Sequence, residues 1–245
     1  MLLSISKRFV ILFPWKTASS TINTRIGCYN ESPYSSFFYY NKHIETVTHQ
    51  HITLAQFLRL PESKTIDFKA TFVRNPYDRA WSAFQQIKRD ILNQPMANFP
   101  DNWIRDLVLE QLRENKRALE LADGNFDLWV KNLKYHDIYC VAKNSNLILH
   151  PIHFWTHNDN ALTVDFIGRV EQFESDFKKL VDILNLTPQN SLNVNVSDDH
   201  SERPPNQYGY KHTHRMDNKT IEKLNEMFYE DFHLFGYEFL IKEPA

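Results

Sequence analysis

An unbroken apolar run that leads directly into a polar loop constrains the fold of this chain more than any other feature. The run covers residues 9–13, and the segment that follows contains Lys16 and the hydroxyl residues Ser19 and Ser20. A strand that is apolar on both faces is typical of a parallel sheet with helices on each side. We therefore predict a buried strand over residues 8–13 and a helix that begins near Ser19 or Ser20, whose hydroxyls can cap it.

A second strand and helix are predicted on either side of Pro76. Residues 67–74 have the apolar character of a buried strand. Proline suits the first turn of a helix, where its missing N–H is not needed. In the helix that follows, Ala80, Phe84 and Ile87 fall on one face. The second unit of strand, loop and helix thus repeats the order of the first.

The remaining segments extend the alternation of strands and helices. The predicted elements are a helix over residues 53–60 capped by Thr53, helices within 101–135, a strand over 163–168 and helices over 173–186 and 217–229. This order predicts an α/β fold with a parallel sheet flanked by helices. The chain has no internal repeat and no Gly/Ser linker, so we expect one domain over residues 1–245. The polar, proline-broken segment 187–213 is predicted to be a long loop. For its part over residues 197–213 two roles stay open, closure over the nucleotide or the acceptor and a plain solvated loop.

Composition excludes several classes of protein. The net charge of −2 and a pI near 6.6 give no basic field, so we expect no nucleic-acid partner. Cys28 and Cys140 are far apart and lack a metal-binding spacing, which favours ordinary thiols in a reduced compartment. The early apolar run is too short for a signal peptide or a membrane span. We therefore expect a cytoplasmic protein without a membrane anchor.

The loop after the first predicted strand contains the groups of an anion-binding site. Backbone N–H groups at a helix start attract negative charge, and Lys16 adds a cationic side chain. The loop lacks the glycines of a Walker A motif, which weighs against an NTPase or a kinase. The alternative is an ordinary surface lysine in a strand–helix connection.

The segment around Asn75 and Pro76 offers a second anion site. Arg74 ends the predicted strand, and its planar guanidinium can bind a phosphate through two bonds. Ser82 lies about two helical turns further on. The alternative role for Arg74 is a structural ion pair, and we expect such a pair for Arg79.

Together the two segments resemble sulfotransferases that use 3′-phosphoadenosine-5′-phosphosulfate (PAPS) as donor. Residues 16–21 resemble the loop that binds the 5′-phosphosulfate in that family, and residues 72–84 are similar to its 3′-phosphate segment. Residues 164–171 and 231–237 look like later motifs of the Golgi carbohydrate sulfotransferases, which include the 2-O-sulfotransferases, and of their bacterial relatives. The resemblance spans roughly residues 9–240.

The resemblance implies a P-loop-NTPase-like sulfotransferase fold, PAPS as the donor and no metal. It also implies a carbohydrate or glycoconjugate acceptor. Its expected donor-binding residues are Lys16, Thr17, Ala18, Ser19, Ser20, Thr21, Arg74 and Ser82. In the family's chemistry, Lys16 would also stabilise charge on the bridging oxygen as the sulfuryl group leaves.

Two histidines lie between the two anion-binding segments. A neutral histidine suits the removal of a proton from an attacking hydroxyl, because its ordinary pKa lies near neutrality. His49 and His51 form a His-x-His pair, and the resemblance places the catalytic base in this interval. We predict His51 as the base and His49 as a helper that holds the acceptor or the loop. The alternatives are a purely structural histidine and, less favoured, a zinc ligand.

Two other functions remain open on the sequence alone. A P-loop-type nucleotide or phosphosugar kinase would need magnesium and a carboxylate to hold it. A non-catalytic nucleotide-binding relative would not need the histidine pair. The sequence leaves the acceptor open among an exopolysaccharide, a glycolipid headgroup and a small glycoside.

Overall fold

The computed structural model describes residues 1–32, 39–48, 50–93, 103–134, 149–189 and 206–241. The chain divides into two units, each made of two segments that are distant in sequence. The first unit combines Met1–Arg74 with Ile152–Asp198, and the second combines Asn75–Pro151 with Asp199–Ala245. A single domain over residues 1–245 stays a prediction.

Helices and strands alternate along much of the described chain. In chain order the elements are β1 (Leu2–Ser4), β2 (Phe9–Leu12), α1 (Ser19–Ile26), β3 (Tyr39–Asn41), β4 (Thr46–Thr48), α2 (Leu54–Leu58), β5 (Phe68–Val73), α3 (Pro76–Asn93), α4 (Trp103–Leu121), α5 (Phe126–Asn132), β6 (His157–Asn158), β7 (Ala161–Leu162), β8 (Phe166–Arg169), α6 (Phe173–Ile183), α7 (Asn218–Met227) and α8 (Tyr229–Phe235). Short 3₁₀ turns occupy Gly27–Tyr29, Pro61–Thr65, Ile152–Trp155, Val170–Gln172 and Thr213–Arg215.

A four-stranded sheet forms the centre of the first unit. Its strand order is β1-β2-β5-β8. The β2, β5 and β8 strands run parallel, with Leu12 opposite Thr71 and Val73 opposite Arg169. The edge strand β1 is antiparallel to β2. The predicted α/β class with a mostly parallel sheet is therefore confirmed, and the antiparallel edge strand is an addition to it.

The apolar run of β2 is continuous because both faces of the sheet are covered. Phe9 and Ile11 pack in a cluster with Ile22 of α1 and Phe177 of α6. Val10 and Leu12, which point the other way, pack in a second cluster. That cluster, called here the α2-side cluster, consists of Met1, Leu3, Val10, Leu12, Ile44, Ile52, Leu54, Phe57, Leu60, Ile66, Trp155 and Val164. Alternate residues of one strand thus serve two cores.

The later elements differ from the predicted bounds for local reasons. The β8 strand begins at Phe166 and not at residue 163. Just before it, the N–H of Asp165 donates to the carbonyl of Lys69, and the N–H of Lys69 donates to the side-chain carboxylate of Asp165. The α6 helix ends at Ile183. Two residues later Asn185 has a left-handed conformation, with φ of 50°, of the kind that terminates helices. The helix expected over residues 217–229 ends at Met227, because the backbone of Phe228 leaves the helical region, and a further helix follows over Tyr229–Phe235.

The second unit is helical in its described part. An aromatic cluster joins α3 to α5, with Trp81 edge-on to Phe126 at 5.0 Å and Phe84 against Trp129 at 5.3 Å between ring centroids. At the start of α3, Tyr77 packs on Phe232 of α8. Within the described residues, no helix combines the length and the apolar character needed to cross a membrane.

Candidate functional site

The two predicted anion-binding segments leave the sheet at the same edge. Because β2 and β5 are parallel neighbours, their carboxyl ends lie side by side, which is where α/β sheets commonly bind ligands. Arg74 follows β5 directly, and its Nη1 donates a hydrogen bond of 3.4 Å to the carbonyl oxygen of Lys16. The structure therefore brings together the lysine loop and the arginine, as the sequence led us to expect.

The lysine loop has an unusual backbone. Lys16 and Ala18 both have φ of 66°, while Thr17 between them does not lie in the left-handed region. Left-handed residues other than glycine are uncommon and concentrate at functional sites. An anion-binding nest requires left-handed residues beside right-handed ones, so that successive N–H groups turn toward one point; Lys16 and Ala18 supply left-handed positions of this kind. Thr17 is buried and secures the turn through a 2.8 Å hydrogen bond from its hydroxyl to the carbonyl of Pro14.

The start of α1 completes this cradle. Ala18 is the N-cap residue and has no side-chain acceptor for the first N–H groups of the helix, and no acidic residue lies in the first turn. Ser19 and Ser20 are half-buried, and Thr21 is buried. A helix start without a side-chain cap from its N-cap residue favours an anion, and so does the helix dipole.

The environment of Arg74 agrees better with an anion site than with an ion pair. The residue is half-buried, and within the described part of the chain no carboxylate pairs with its guanidinium. Ser82 is also half-buried and lies on α3 in the second unit. Its part in donor binding stays a prediction.

His51 is held by the lysine loop itself. Its side chain is 3% exposed, and its Nδ1 lies 2.7 Å from the carbonyl oxygen of Phe13. A carbonyl oxygen only accepts hydrogen bonds, so Nδ1 carries the proton and donates it. In the neutral imidazole the basic nitrogen is then Nε2, which is the arrangement that a general base needs.

An aromatic stack also holds His51, and sequence reasoning did not predict it. The rings of Trp15 and His51 lie with their centroids 3.8 Å apart and their planes inclined by 21°. Two residues after His51, Thr53 caps α2 through a full capping box with Gln56, which confirms the predicted cap. The other predicted histidine, His49, lies outside the described residues.

Asp78 and Arg79 are structural residues of the second unit. Asp78 accepts backbone N–H bonds from Lys211 at 3.0 Å and His212 at 2.9 Å, so it anchors the described end of the loop expected over residues 187–213. Arg79 is fully buried and lies 3.7 Å from the carboxylate of Asp231. The structural ion pair expected for Arg79 is confirmed, whereas the sequence did not point to Asp78.

The comparisons with known proteins add one match. A family model described as "Sulfotransferase family" matches residues 7–238, which is nearly the whole chain. Neither the search of curated proteins nor that of solved structures found a significant match. Among the described residues, no group of three or more His, Cys, Asp or Glu side chains has the arrangement of a metal site.

Proposed function

The chain belongs to the sulfotransferase family, and we propose that it moves a sulfuryl group from PAPS to a hydroxyl of a carbohydrate or glycoconjugate. The observation that carries the proposal is the hydrogen bond from His51 to the carbonyl of Phe13. Phe13 lies three residues before Lys16, so one short segment supports both a candidate base and a candidate donor site.

His51 acts as the general base in this proposal. The acceptor hydroxyl attacks sulfur while its proton passes to Nε2 of His51, and the bond between sulfur and the bridging oxygen breaks. Such base catalysis typically contributes about 10²–10⁴-fold to the rate. The Nδ1 bond to Phe13 supports this role because it fixes the tautomer in which Nε2 can accept the proton.

The lysine loop holds the sulfate end of the donor. Residues 16–21 offer backbone N–H groups, hydroxyls and the Lys16 ammonium to the 5′-phosphosulfate, and the two left-handed residues support this assignment. Lys16 further stabilises the negative charge that develops on the bridging oxygen, as cationic side chains do in phosphoryl transfer. The proposal involves no metal.

Arg74 holds the 3′-phosphate of the donor in this proposal. Its hydrogen bond to Lys16 supports the assignment, since it places the guanidinium beside the loop that holds the other end. Ser82 is assigned to the same phosphate on the resemblance alone. The acceptor remains a hydroxyl of a sugar, whether in a polymer, a glycolipid headgroup or a small glycoside.

The first experiment compares nucleotides by thermal unfolding. Adenosine 3′,5′-bisphosphate, the product of PAPS, is expected to raise the unfolding temperature, since a ligand at 100 times its Kd adds about 2.7 kcal/mol of stability. ATP with magnesium is the comparison, because it is the ligand of the kinase alternative. Stabilisation by ATP–magnesium alone would overturn the proposal.

The second experiment tests the base. His51→Gln is expected to lower kcat for transfer from radiolabelled PAPS to a panel of sugars by about 10²-fold or more, while adenosine 3′,5′-bisphosphate still binds. His233→Gln is the matched control, because His233 is exposed on α8. Unchanged turnover in His51→Gln would rule out the base assignment.

A further inference from the structure

We propose that Trp15 is the residue that positions the catalytic histidine, by stacking on its ring and fixing the direction of Nε2. This inference rests on the proposed role of His51 as the base. Nothing in the sequence pattern singles Trp15 out for this role. Two contacts of the imidazole support it, the hydrogen bond to Phe13 and the stack on Trp15.

The hydrogen bond to Phe13 defines the tautomer of the imidazole more closely than the plane of its ring. A hydrogen bond tolerates N–H···O angles down to about 120°, so the bond through Nδ1 still permits the ring to turn partly about its own Cβ–Cγ bond. Such a rotation keeps the correct tautomer but swings Nε2 away from the attacking hydroxyl. Base catalysis depends on that direction, because proton transfer needs donor and acceptor within hydrogen-bond reach.

The stack on Trp15 restricts this rotation. With centroids 3.8 Å apart and planes inclined by 21°, the indole of Trp15 covers one face of the imidazole. Rotation about the Cβ–Cγ bond would drive the imidazole edge into the indole. The hydrogen bond therefore sets the tautomer, and Trp15 sets the plane of the ring.

Trp15 is itself held in place. Its side chain packs against the α2-side cluster, whose members include Ile52, the residue next to His51, and the fully buried Trp155. Trp15 is half-buried, and close packing on its buried side favours one rotamer. These contacts hold the indole in place against the imidazole.

The position of Trp15 in the chain couples the base to the donor site. Phe13, Trp15 and Lys16 belong to one stretch between β2 and α1. The first two hold His51, and the third begins the left-handed turn of the anion cradle. A displacement of this stretch would move the base and the donor's phosphosulfate together, so their relative placement is kept.

Nuclear magnetic resonance on the unliganded protein tests the geometry without any catalysis. The protein is labelled at histidine, and the His51 signals are assigned by comparison with His51→Gln. The indole ring current is expected to shift the His51 ring protons upfield, and Nδ1 is expected to be protonated. Trp15→Leu is expected to lose the upfield shift. An ordinary chemical shift for His51 in the wild-type protein would overturn the proposal.

Kinetics then test the positioning role. Trp15→Leu is expected to lower kcat about tenfold to 10²-fold, the scale of a misplaced catalytic group, with the KM for PAPS little changed. Trp15→Phe keeps an aromatic ring and is expected to restore most of kcat. Trp103→Leu, which changes a tryptophan that is 52% exposed, is the matched control.

The outcomes separate this inference from the proposed function. Wild-type kcat in Trp15→Leu, with the upfield shift lost, would overturn the positioning role while His51 remained the base. Full activity in His51→Gln would instead overturn the base, whatever the resonances of the ring show. If Trp15→Leu fails to fold, the His51 chemical shift of the wild-type protein and the kcat of Trp15→Phe still test the proposal. A Trp15→Phe variant that is inactive would count against stacking if its unfolding temperature and its His51 signals match those of the wild type.

Discussion

Lys16 combines a cationic side chain with a backbone conformation that few lysines adopt. Its φ of 66° and that of Ala18 shape the loop, and its carbonyl accepts the hydrogen bond from Arg74. The sequence predicted the side-chain chemistry of this residue, because lysine and hydroxyls before a helix suggest an anion. It could not predict the left-handed backbone, since no glycine marks the turn.

At this scale we expect Lys16→Ala to lower kcat by about 10²–10³, the usual effect of removing one charge-stabilising group. Binding of adenosine 3′,5′-bisphosphate, measured by calorimetry, is expected to survive. Arg74→Ala should instead raise the KM for PAPS more than it lowers kcat, because Arg74 is assigned to the non-reacting phosphate. Lys64→Ala, an exposed lysine, is the control, and wild-type turnover by Lys16→Ala would contradict the assignment.

The elements place these residues through the pairing of β2, β5 and β8. Gly168 of β8 lies opposite Phe72 of β5. A Cβ at Gly168 would lie 2.4 Å from the Phe72 ring, and that ring is held between Phe166 and Phe173. A side chain at this position therefore requires the Phe72 ring to shift within its aromatic surroundings.

Gly168→Ala tests this close approach. We expect the substitution to lower the free energy of unfolding by about 1–3 kcal/mol, as overpacked cores do, measured by urea denaturation. Gly27→Ala is the matched control, because a Cβ at Gly27 would meet nothing within 4 Å and its φ is −62°. Equal stability of the two variants would show that Phe72 can move aside.

Several carboxylates make the stability of the whole molecule depend on acid. An Arg25 hydrogen bond lowers the pKa of Glu174. Burial works to raise the pKa of Asp176, but bonds from Lys179 and the Arg169 N–H outweigh it and leave the pKa lowered. A carboxylate whose pKa is lowered by folding stabilises the protein at any pH above its ordinary pKa. That contribution is lost as the pH falls through the pKa of the folded state.

We therefore expect the unfolding temperature to be insensitive to these groups at neutral pH. The unfolding temperature should fall once the pH drops below the ordinary pKa values of Glu and Asp, which are 4.5 and 3.8. In Asp176→Asn the fall is expected to be shallower, because one titrating group is gone, whereas Asp123→Asn, which changes an exposed residue, should follow the wild-type curve. Parallel acid limbs for wild type and Asp176→Asn, recorded by calorimetry, would contradict this account.

The sequence by itself determined the parts of this protein that depend on local patterns. The buried strands, the helix starts at Ser19, Thr53 and Pro76, and the meeting of Lys16 with Arg74 all follow from apolar runs, capping residues and parallel pairing. These features need only neighbours in the chain and one rule about parallel sheets. The family followed from the same two segments.

Only the tertiary structure decided how His51 is held and where the chain breaks its own patterns. His51 lies 38 residues from Phe13 in sequence, and no local signal shows that Trp15 would stack on it or that Asp78 would anchor Lys211 and His212. Contacts between residues so distant in sequence depend on packing of the complete core, where many side chains must fit at once. The sequence specifies the chemistry of each side chain, but the fold sets the direction in which that side chain acts.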